Sequence, residues 1–284
     1  VQFSGLLEIL QPARTTRITD IGANPIDGDP PYLRMLEAGM AEIVGFEPQP
    51  EALAKLQLKK GPHERYLPYA VGDGNEHTLN ICANSGMTSL LEPDLLALRH
   101  FAILEPNGRV INQVPVQTHR LDDIAEIESI DLLKIDVQGF ELTVIKHGRE
   151  KLKNAVVIQT EVSFVSLYKG QPSFGEVDLE MRSQGFIPHH FADIKPWVIA
   201  PTIVDGDPRK PLNQLLEADL VYVKDFMHPE NLSDEQLKHL CLIAHICYRS
   251  WDLANRCILM LEGRGSLPPG SQNRYFDTIA AGEV

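Results

Sequence analysis

Short apolar runs and amphipathic stretches alternate along this chain. TRITDIGAN reads as a strand ending in a glycine-containing turn, and PPYLRMLEAG sets Leu33, Leu36 and Met40 near helical spacing with Gly39 at its close. AEIVGFEPQP is a second apolar strand, ending at Glu47 and stopped by Pro48 and Pro50. EALAKLQLKKG then supplies a helix, and ERYLPYAVGDG a third strand that turns at Asp73 and Gly74. A short helix is expected ahead of all these, from Phe3 to Leu10. The order β-α-β-α-β with short crossovers predicts an α/β fold built on a doubly wound, mostly parallel sheet.

The middle of the chain is less regular. HTLNICANSGMTSLLEPD predicts a strand or hairpin followed by a loop, and GRVINQVPVQTHRLDDI predicts another strand pair. The sheet resumes at IDLLKID, which leads into VQGFELTVIKHGREKL, a helix with Leu142, Ile145 and Leu152 on one side. AVVIQTEV follows as a buried strand. GFIPHHF and EADLVYVKD predict an antiparallel addition, parted by the proline-interrupted loop PWVIAPTIVDGDPRKPL. From Ser233, SDEQLKHLCLIAHICYRSWDLANRCILMLEGRG reads as helix with Ser233 as its cap. Its apolar residues are too many for a free surface, so it packs on the sheet or on a second subunit of a homo-oligomer, with PPGSQNRYFDTIAAGEV free to wrap a neighbour. The expected division is a domain at residues 1–226 and a helical extension and tail at 227–284, linked near Phe226 to Ser233.

Composition narrows the function. A chain of 284 residues, 43% hydrophobic and 23% charged, is ordinary globular protein with a large core. Its formal charge of -13, with no basic face beyond the solvated helix surface from Lys146 to Lys153, argues against nucleic acid as substrate. Cys82, Cys241, Cys247 and Cys257 form no CxxC pair; apolar packing and a reducing, cytoplasmic setting are expected. The opening VQFSGLLEILQPARTTRITD has neither a basic start nor a continuous apolar core, so no signal peptide is expected. No apolar run of about 20 residues predicts a membrane span.

The candidate chemistry lies at strand ends, where open parallel sheets bind ligands. Asp20, Ile21, Gly22, Ala23 and Asn24 form a strand-to-helix turn, and Glu47 ends the next strand where a carboxylate can accept hydrogen bonds from ribose hydroxyls. Nicotinamide and S-adenosylmethionine sites share this recurrence. GANPIDG, however, lacks the glycine series of a pyrophosphate site and sets Asp27 and Asp29 near any phosphates. A sulfonium cofactor without phosphate tolerates that acidic rim.

DIGAN, GFEPQP, YAVGD, SL, LDDI, LLKIDVQGFEL and VVIQTEV, in this order between Thr19 and Glu161, resemble the FkbM-type methyltransferases. That family carries a D-x-G-A-N turn, an F-E-P-x-P strand end and a K-I-D-V-E-G-x-E segment. The resemblance implies a Rossmann-like class I methyltransferase fold with S-adenosyl-L-methionine bound across the first strands. By the same match, Asp20, Gly22 and Asn24 belong to the methionine side, with Ala23 in the same turn. Glu47 belongs to the ribose beside Pro48, and Ala70 or Val71 to the adenine rim. Structural roles stay open for several of them: Asp20 bonding its own turn, Gly22 meeting a backbone constraint, Asn24 capping a helix, Asp73 shaping a turn.

The resemblance further implies O-methyl transfer to a hydroxyl of a sugar, polyketide or related small metabolite. Such chemistry needs an aligned hydroxyl and a group to take its proton. Asp136 ends a strand, Glu141 opens the next helix and Glu161 ends the neighbouring strand, so three carboxylates converge as base, sugar clamp or cation site. Lys134 can pair with one of them. Gln138 stands where the family often has Glu; the lost charge weakens a metal-dependent mechanism, and no metal is expected. His119, His189 and His190 are secondary candidates, while Phe164, Tyr168, Phe174 and Trp197 either stack on a sugar or pack as a lid.

Two other classes share parts of this pattern: a nicotinamide-dependent oxidoreductase, which needs the missing glycines, and a non-catalytic homodimeric or scaffold descendant of the fold. Asp29 to Tyr32, DPPY, resembles the tetrad that holds the target nitrogen in amino-methyltransferases, yet here it follows the first strand. It reads instead as a helix start, with Asp29 capping, Pro30 and Pro31 in the first turn and Tyr32 opening the helix surface.

Overall fold

The computed structural model describes residues 3–24 and 28–282. Its first half runs α1 (Ser4–Leu10), β1 (Thr16–Ile21), α2 (Leu33–Glu37), β2 (Ala41–Phe46), α3 (Pro50–Lys59), β3 (Glu64–Leu67), β4 (Ala70–Gly72), β5 (Glu76–Cys82), α4 (Leu95–Leu98), α5 (Leu104–Asn107) and β6 (Val110–Arg120). The second half runs β7 (Leu132–Ile135), α6 (Glu141–Lys146), α7 (Arg149–Leu152), β8 (Val157–Ser163), α8 (Phe174–Ser183), β9 (Phe186–Trp197), β10 (Gln214–Lys224), α9 (Asp234–Ile246), α10 (Trp251–Gly263) and α11 (Ser271–Ala280).

Seven strands form the main sheet in the order β3-β2-β1-β7-β8-β10-β9. The five from β3 to β8 are parallel, and β10 runs antiparallel between β8 and β9. Helices cover both faces. This is a doubly wound, Rossmann-like class I methyltransferase fold with a mostly parallel sheet and C-terminal helices. The strand order reverses between β1 and β7, which opens a crevice at their carboxyl ends.

Side-chain alternation assigns each strand residue to a face. Ile18, Leu132, Val157 and Val221 bury one face against Leu237, Leu240 and Ile258 of α9 and α10. Ile21, Leu133, Ile158 and Leu220 bury the other against Leu142, Ile145 and Met181. Burying a side chain of this size contributes about 1.5–3 kcal/mol, so these two stripes dominate the packing energy. Two residues further along, the first face turns polar: Asp20 pairs in register with Lys134, Lys134 with Gln159, and Glu161 with Asp219. The site is the polar continuation of a hydrophobic core face.

Several elements differ from the sequence expectation. ERYLPYAVGDG makes two strands, because β4 leaves the main sheet to pair with β6. GRVINQVPVQTHRLDDI makes one long strand rather than a pair; β6 lies between β4 and β5 in a separate three-stranded sheet. The long C-terminal helix is two helices. Ser250 N–H donates to Ala244 O at 2.8 Å, and Arg249 takes the left-handed slot (φ 52°) that ends α9 in a Schellman-type closure. The last segment folds back on its own chain: α11 contacts α1 and α10, and Tyr275 is fully buried with its hydroxyl 3.0 Å from His245 Nδ1. Tyr32 does not open a helix surface. It is 2% exposed and donates its hydroxyl proton to Asp20 Oδ2, while α2 begins at Leu33 without a side-chain cap from Asp29. Among the described residues no helix is long and apolar enough to cross a membrane.

Candidate active site

The turn after β1 is tied to its neighbours through backbone. Gly22 and Ala23 donate to Phe46 O at 3.0 and 3.1 Å, and Asp136 N–H donates to Ile21 O at 3.0 Å. Gly22 has φ 79°, and a Cβ there would stand 1.9 Å from the Asp136 carbonyl oxygen. No other residue fits that approach.

Above these strand ends lies a cleft of about 780 Å³, open mouth included, within the roughly 300–1,000 Å³ of small-molecule sites. Gly22, Asn24, Glu47, Pro48, Ala70, Val71 and Asp136 all line it. Asp20 and Ala23 do not. Asp20 is buried below, with Oδ2 held by Tyr32 and Oδ1 left without a hydrogen bond, 3.7 Å from Lys134 Nζ. Phe46, Tyr69 and Leu79 make the apolar wall, where Tyr69 stacks on Phe46 at 6.2 Å and packs against His119 at 4.5 Å.

Glu47 is 2% exposed. Its Oε1 accepts the Gln49 N–H at 2.8 Å, and among the described residues Oε2 has no partner. Burial pushes the carboxyl up to about 7 against the pull of that hydrogen bond, and Asp20 adds to the rise. A single buried carboxylate beside an apolar slot suits a ribose and its adenine, so these residues fit S-adenosylmethionine. Asp27, half of the expected acidic rim, lies outside the described residues; Asp29 lines a different cleft. Asp73 is a turn centre instead, accepting from Asn75 N–H, Asn75 Nδ2, His77 Nε2 and Thr118 Oγ1; against its partial burial, the Asn75 and His77 contacts hold its carboxyl well below the usual range.

Asp136, Glu141 and Glu161 converge, with one carboxylate oxygen from each lying within 4.8 Å of the others. Each already faces protein donors. Glu141 Oε1 accepts the Val137 and Gly139 N–H groups at 2.9 and 3.1 Å, closing the turn before α6, and burial pushes its carboxyl up to about 7. Gln138, in the left-handed region at φ 54°, donates from Nε2 to Asp136 Oδ1 at 2.9 Å and to Glu161 Oε2 at 3.1 Å. The buried Tyr168 hydroxyl donates to Gln138 Oε1 at 3.0 Å, and Lys195 Nζ donates to Glu161 Oε1 at 2.8 Å. Burial and the charges of Glu217 and Asp136 push Glu161 well above the usual carboxyl range, and Lys195 pulls against them. The Gln138 amide bridges two of the carboxylates, and the Lys195 ammonium is the cation hydrogen-bonded to Glu161.

Residues 20–188 match the methyltransferase FkbM domain family. The chain belongs to that family. A curated relative of this FkbM methyltransferase, the 2-O-methyltransferase NoeI of Sinorhizobium fredii (strain NBRC 101917 / NGR234), is 34% identical over 183 residues, spanning 60% of this chain and 71% of that protein. Among solved structures, magnesium protoporphyrin IX methyltransferase from Synechocystis PCC 6803 with bound SAM is 10% identical, covers 75% of this chain and 71% of that one, and has a TM-score of 0.39. Precorrin-6y C5,15-methyltransferase from Geobacter metallireducens GS-15 is also 10% identical, at 78% and 86% coverage and a TM-score of 0.35. The chain is an S-adenosylmethionine-dependent methyltransferase.

Sequence reasoning on this FkbM methyltransferase gave no site role to Ser85 and Thr88, which line the cleft above the strand ends beside Ser89 of the SL motif. It also missed Lys195, whose strand carries no motif. The expected aromatic cover packs on protein: Phe164 meets Phe174 and Phe191, and Trp197 Nε1 donates to Ala102 O at 3.2 Å. His189 is bound to Ser250 Oγ at 2.6 Å, and His190 packs on Tyr248.

Proposed function

We propose that this methyltransferase acts on a hydroxyl oxygen of a small polyhydroxylated metabolite, such as a sugar or polyketide, with Asp136 as the group that receives the hydroxyl proton. The observation that carries this reading is Asp136 itself, which lines the cofactor cleft with Oδ1 fixed by Gln138 and Oδ2 unbonded among the described residues. The 2-O-methyltransferase activity named for the curated relative supports oxygen as the acceptor atom.

When bound, S-adenosylmethionine supplies an electrophilic methyl on a sulfonium. Glu47 would hold the ribose, Phe46, Tyr69 and Val71 would hold the adenine, and the turn from Gly22 to Asn24 would face the amino acid portion. Asp136 accepts the proton as the acceptor oxygen gains the methyl carbon and the carbon–sulfur bond breaks, and releases it to solvent. Gln138 keeps the carboxylate aimed, and alignment of this kind contributes several kcal/mol to such a step. Glu141 serves the turn and Glu161 anchors Lys195 and Gln138. In this reading residues 1–226 carry the chemistry and 227–284 wall the acceptor side.

The test is a reaction of the protein with isotope-labelled S-adenosylmethionine and an aqueous metabolite extract, followed by structural assignment of the labelled product. A labelled methyl ether is expected. Label on nitrogen or carbon contradicts the proposal.

A further inference from the structure

A second cleft, about 1,210 Å³ with its open mouth, lies on the polar continuation of the core face. Its floor is β8, β10 and β9, presenting Gln159, Asp219, Asp193 and Lys195; the turn between α9 and α10 forms one wall, and Asp29 stands at the rim. This cleft meets the cofactor cleft through one row of hydrogen bonds, from Lys195 to Glu161 to Gln138 to Asp136. The two clefts therefore share a partition, and Asp136 lies at its cofactor end.

Three features give this cleft a ligand-facing character. Asp219 sits directly across from Asp193 in the β10 to β9 register, a like-charge cross-strand pair that costs stability unless something else uses it. Arg249 occupies the left-handed slot after α9, where glycine is usual, so the chain keeps a large cation in a strained position at the mouth. Tyr248, the residue before it, reaches inward and donates its hydroxyl to Gln159 Oε1 at 3.0 Å. Of the charged groups on the lining, Lys195 is shared between Glu161 and Asp219, so Asp29, Asp193 and Asp219 face one guanidinium and one shared ammonium.

We propose that this second cleft is the acceptor subsite and that it selects an uncharged or amine-bearing polyol over a phosphorylated or carboxylated one, with Asp219, Tyr248 and Arg249 as specificity-determining residues. The inference rests on the O-methyl transfer proposed above and adds where the acceptor lies and what charge it carries. Carboxylates accept hydrogen bonds from hydroxyls and ammonium groups, and the excess negative charge disfavours an anion. The break between α9 and α10 then has a purpose: an unbroken helix would carry Tyr248 and Arg249 away from the sheet.

The experiment uses the full chain, tritiated-methyl S-adenosylmethionine and an aqueous metabolite extract. Labelled product is passed over anion and cation exchangers at neutral pH, and the extract dilution giving half-maximal labelling is compared for parent, Asp219→Asn, Tyr248→Phe and Arg249→Ala. Calorimetric S-adenosylmethionine binding of each variant serves as the check on folding. The expected product passes the anion exchanger, and Asp219→Asn and Arg249→Ala require about tenfold more extract while binding S-adenosylmethionine as the parent does. Labelled product retained on the anion exchanger, or variants that label at parental dilution, overturns the subsite while leaving the O-methyl reading intact. No labelled product from the parent overturns both.

Discussion

Gln138 Nε2 donates to Asp136 Oδ1 at 2.9 Å, and the same amide reaches Glu161 Oε2 at 3.1 Å. One neutral side chain thus spaces two carboxylates. Gln138→Glu would replace this donor with a fourth carboxylate facing Asp136, Glu141 and Glu161. Methyl transfer at neutral pH is expected to fall by about 10- to 100-fold, because a charged-group hydrogen bond of about 1.5–3 kcal/mol is lost and repulsion replaces it. Moderately lower pH should restore part of the rate by protonating the introduced carboxyl, which then donates to Asp136 again, until Asp136 itself is protonated and the rate falls. A rate profile against pH checks this, with S-adenosylmethionine affinity expected to stay at the parental value.

Glu47 yields a second prediction. Its carboxyl is raised from 4.5 to about 7 by burial, and the ionised form is the better acceptor for ribose hydroxyls. S-adenosylmethionine should bind more tightly as pH rises through about 7, and Glu47→Gln should flatten that dependence. In the unliganded protein the sign is opposite. The native state holds the Glu47 proton more firmly than the unfolded chain, so the associated stability is complete below about 4.5 and is lost as pH rises through about 7. Melting temperature against pH, with and without cofactor, reads both effects.

Tyr32→Phe removes the hydrogen bond to Asp20 Oδ2 and leaves both oxygens of a buried carboxylate without a hydrogen-bond partner. A loss of about 1–3 kcal/mol of stability is expected by denaturant titration. No change would show that Lys134 alone satisfies Asp20.

Arg249→Gly should act in two directions. Glycine relieves the left-handed strain after α9, so stability is expected to rise by about 1 kcal/mol, while labelling from the metabolite extract falls. A parallel rise or fall of both quantities would remove Arg249 from the acceptor cleft.

Much of this architecture was legible in local pattern. The apolar runs ending at Ile21, Phe46, Ile135 and Ser163 are strands, with short crossovers from β1 to β2 and from β7 to β8, and Glu47 and Asp136 follow the ends of β2 and β7 as the pattern predicts. What was hidden depends on distant partners. The faces of β6 carry no strong alternation, and its pairing with β4 and β5 is set by chain that folds from elsewhere. Tyr32 looked like a helix-surface residue because its partner, Asp20, lies on β1 and is brought to it only by the fold. The break after α9 has neither Gly nor Pro to mark it. Lys195 and Asp219 join the site through antiparallel pairing of β9, β10 and β8, which no spacing within either strand records.

The measurement that bears most directly on the central claim is the rate of methyl-ether formation by parent and Asp136→Asn at saturating labelled S-adenosylmethionine. Asp136 as the proton acceptor requires at least about a hundredfold loss for the variant, in the range of a lost general base, with cofactor affinity unchanged. Equal rates for the two proteins would contradict it.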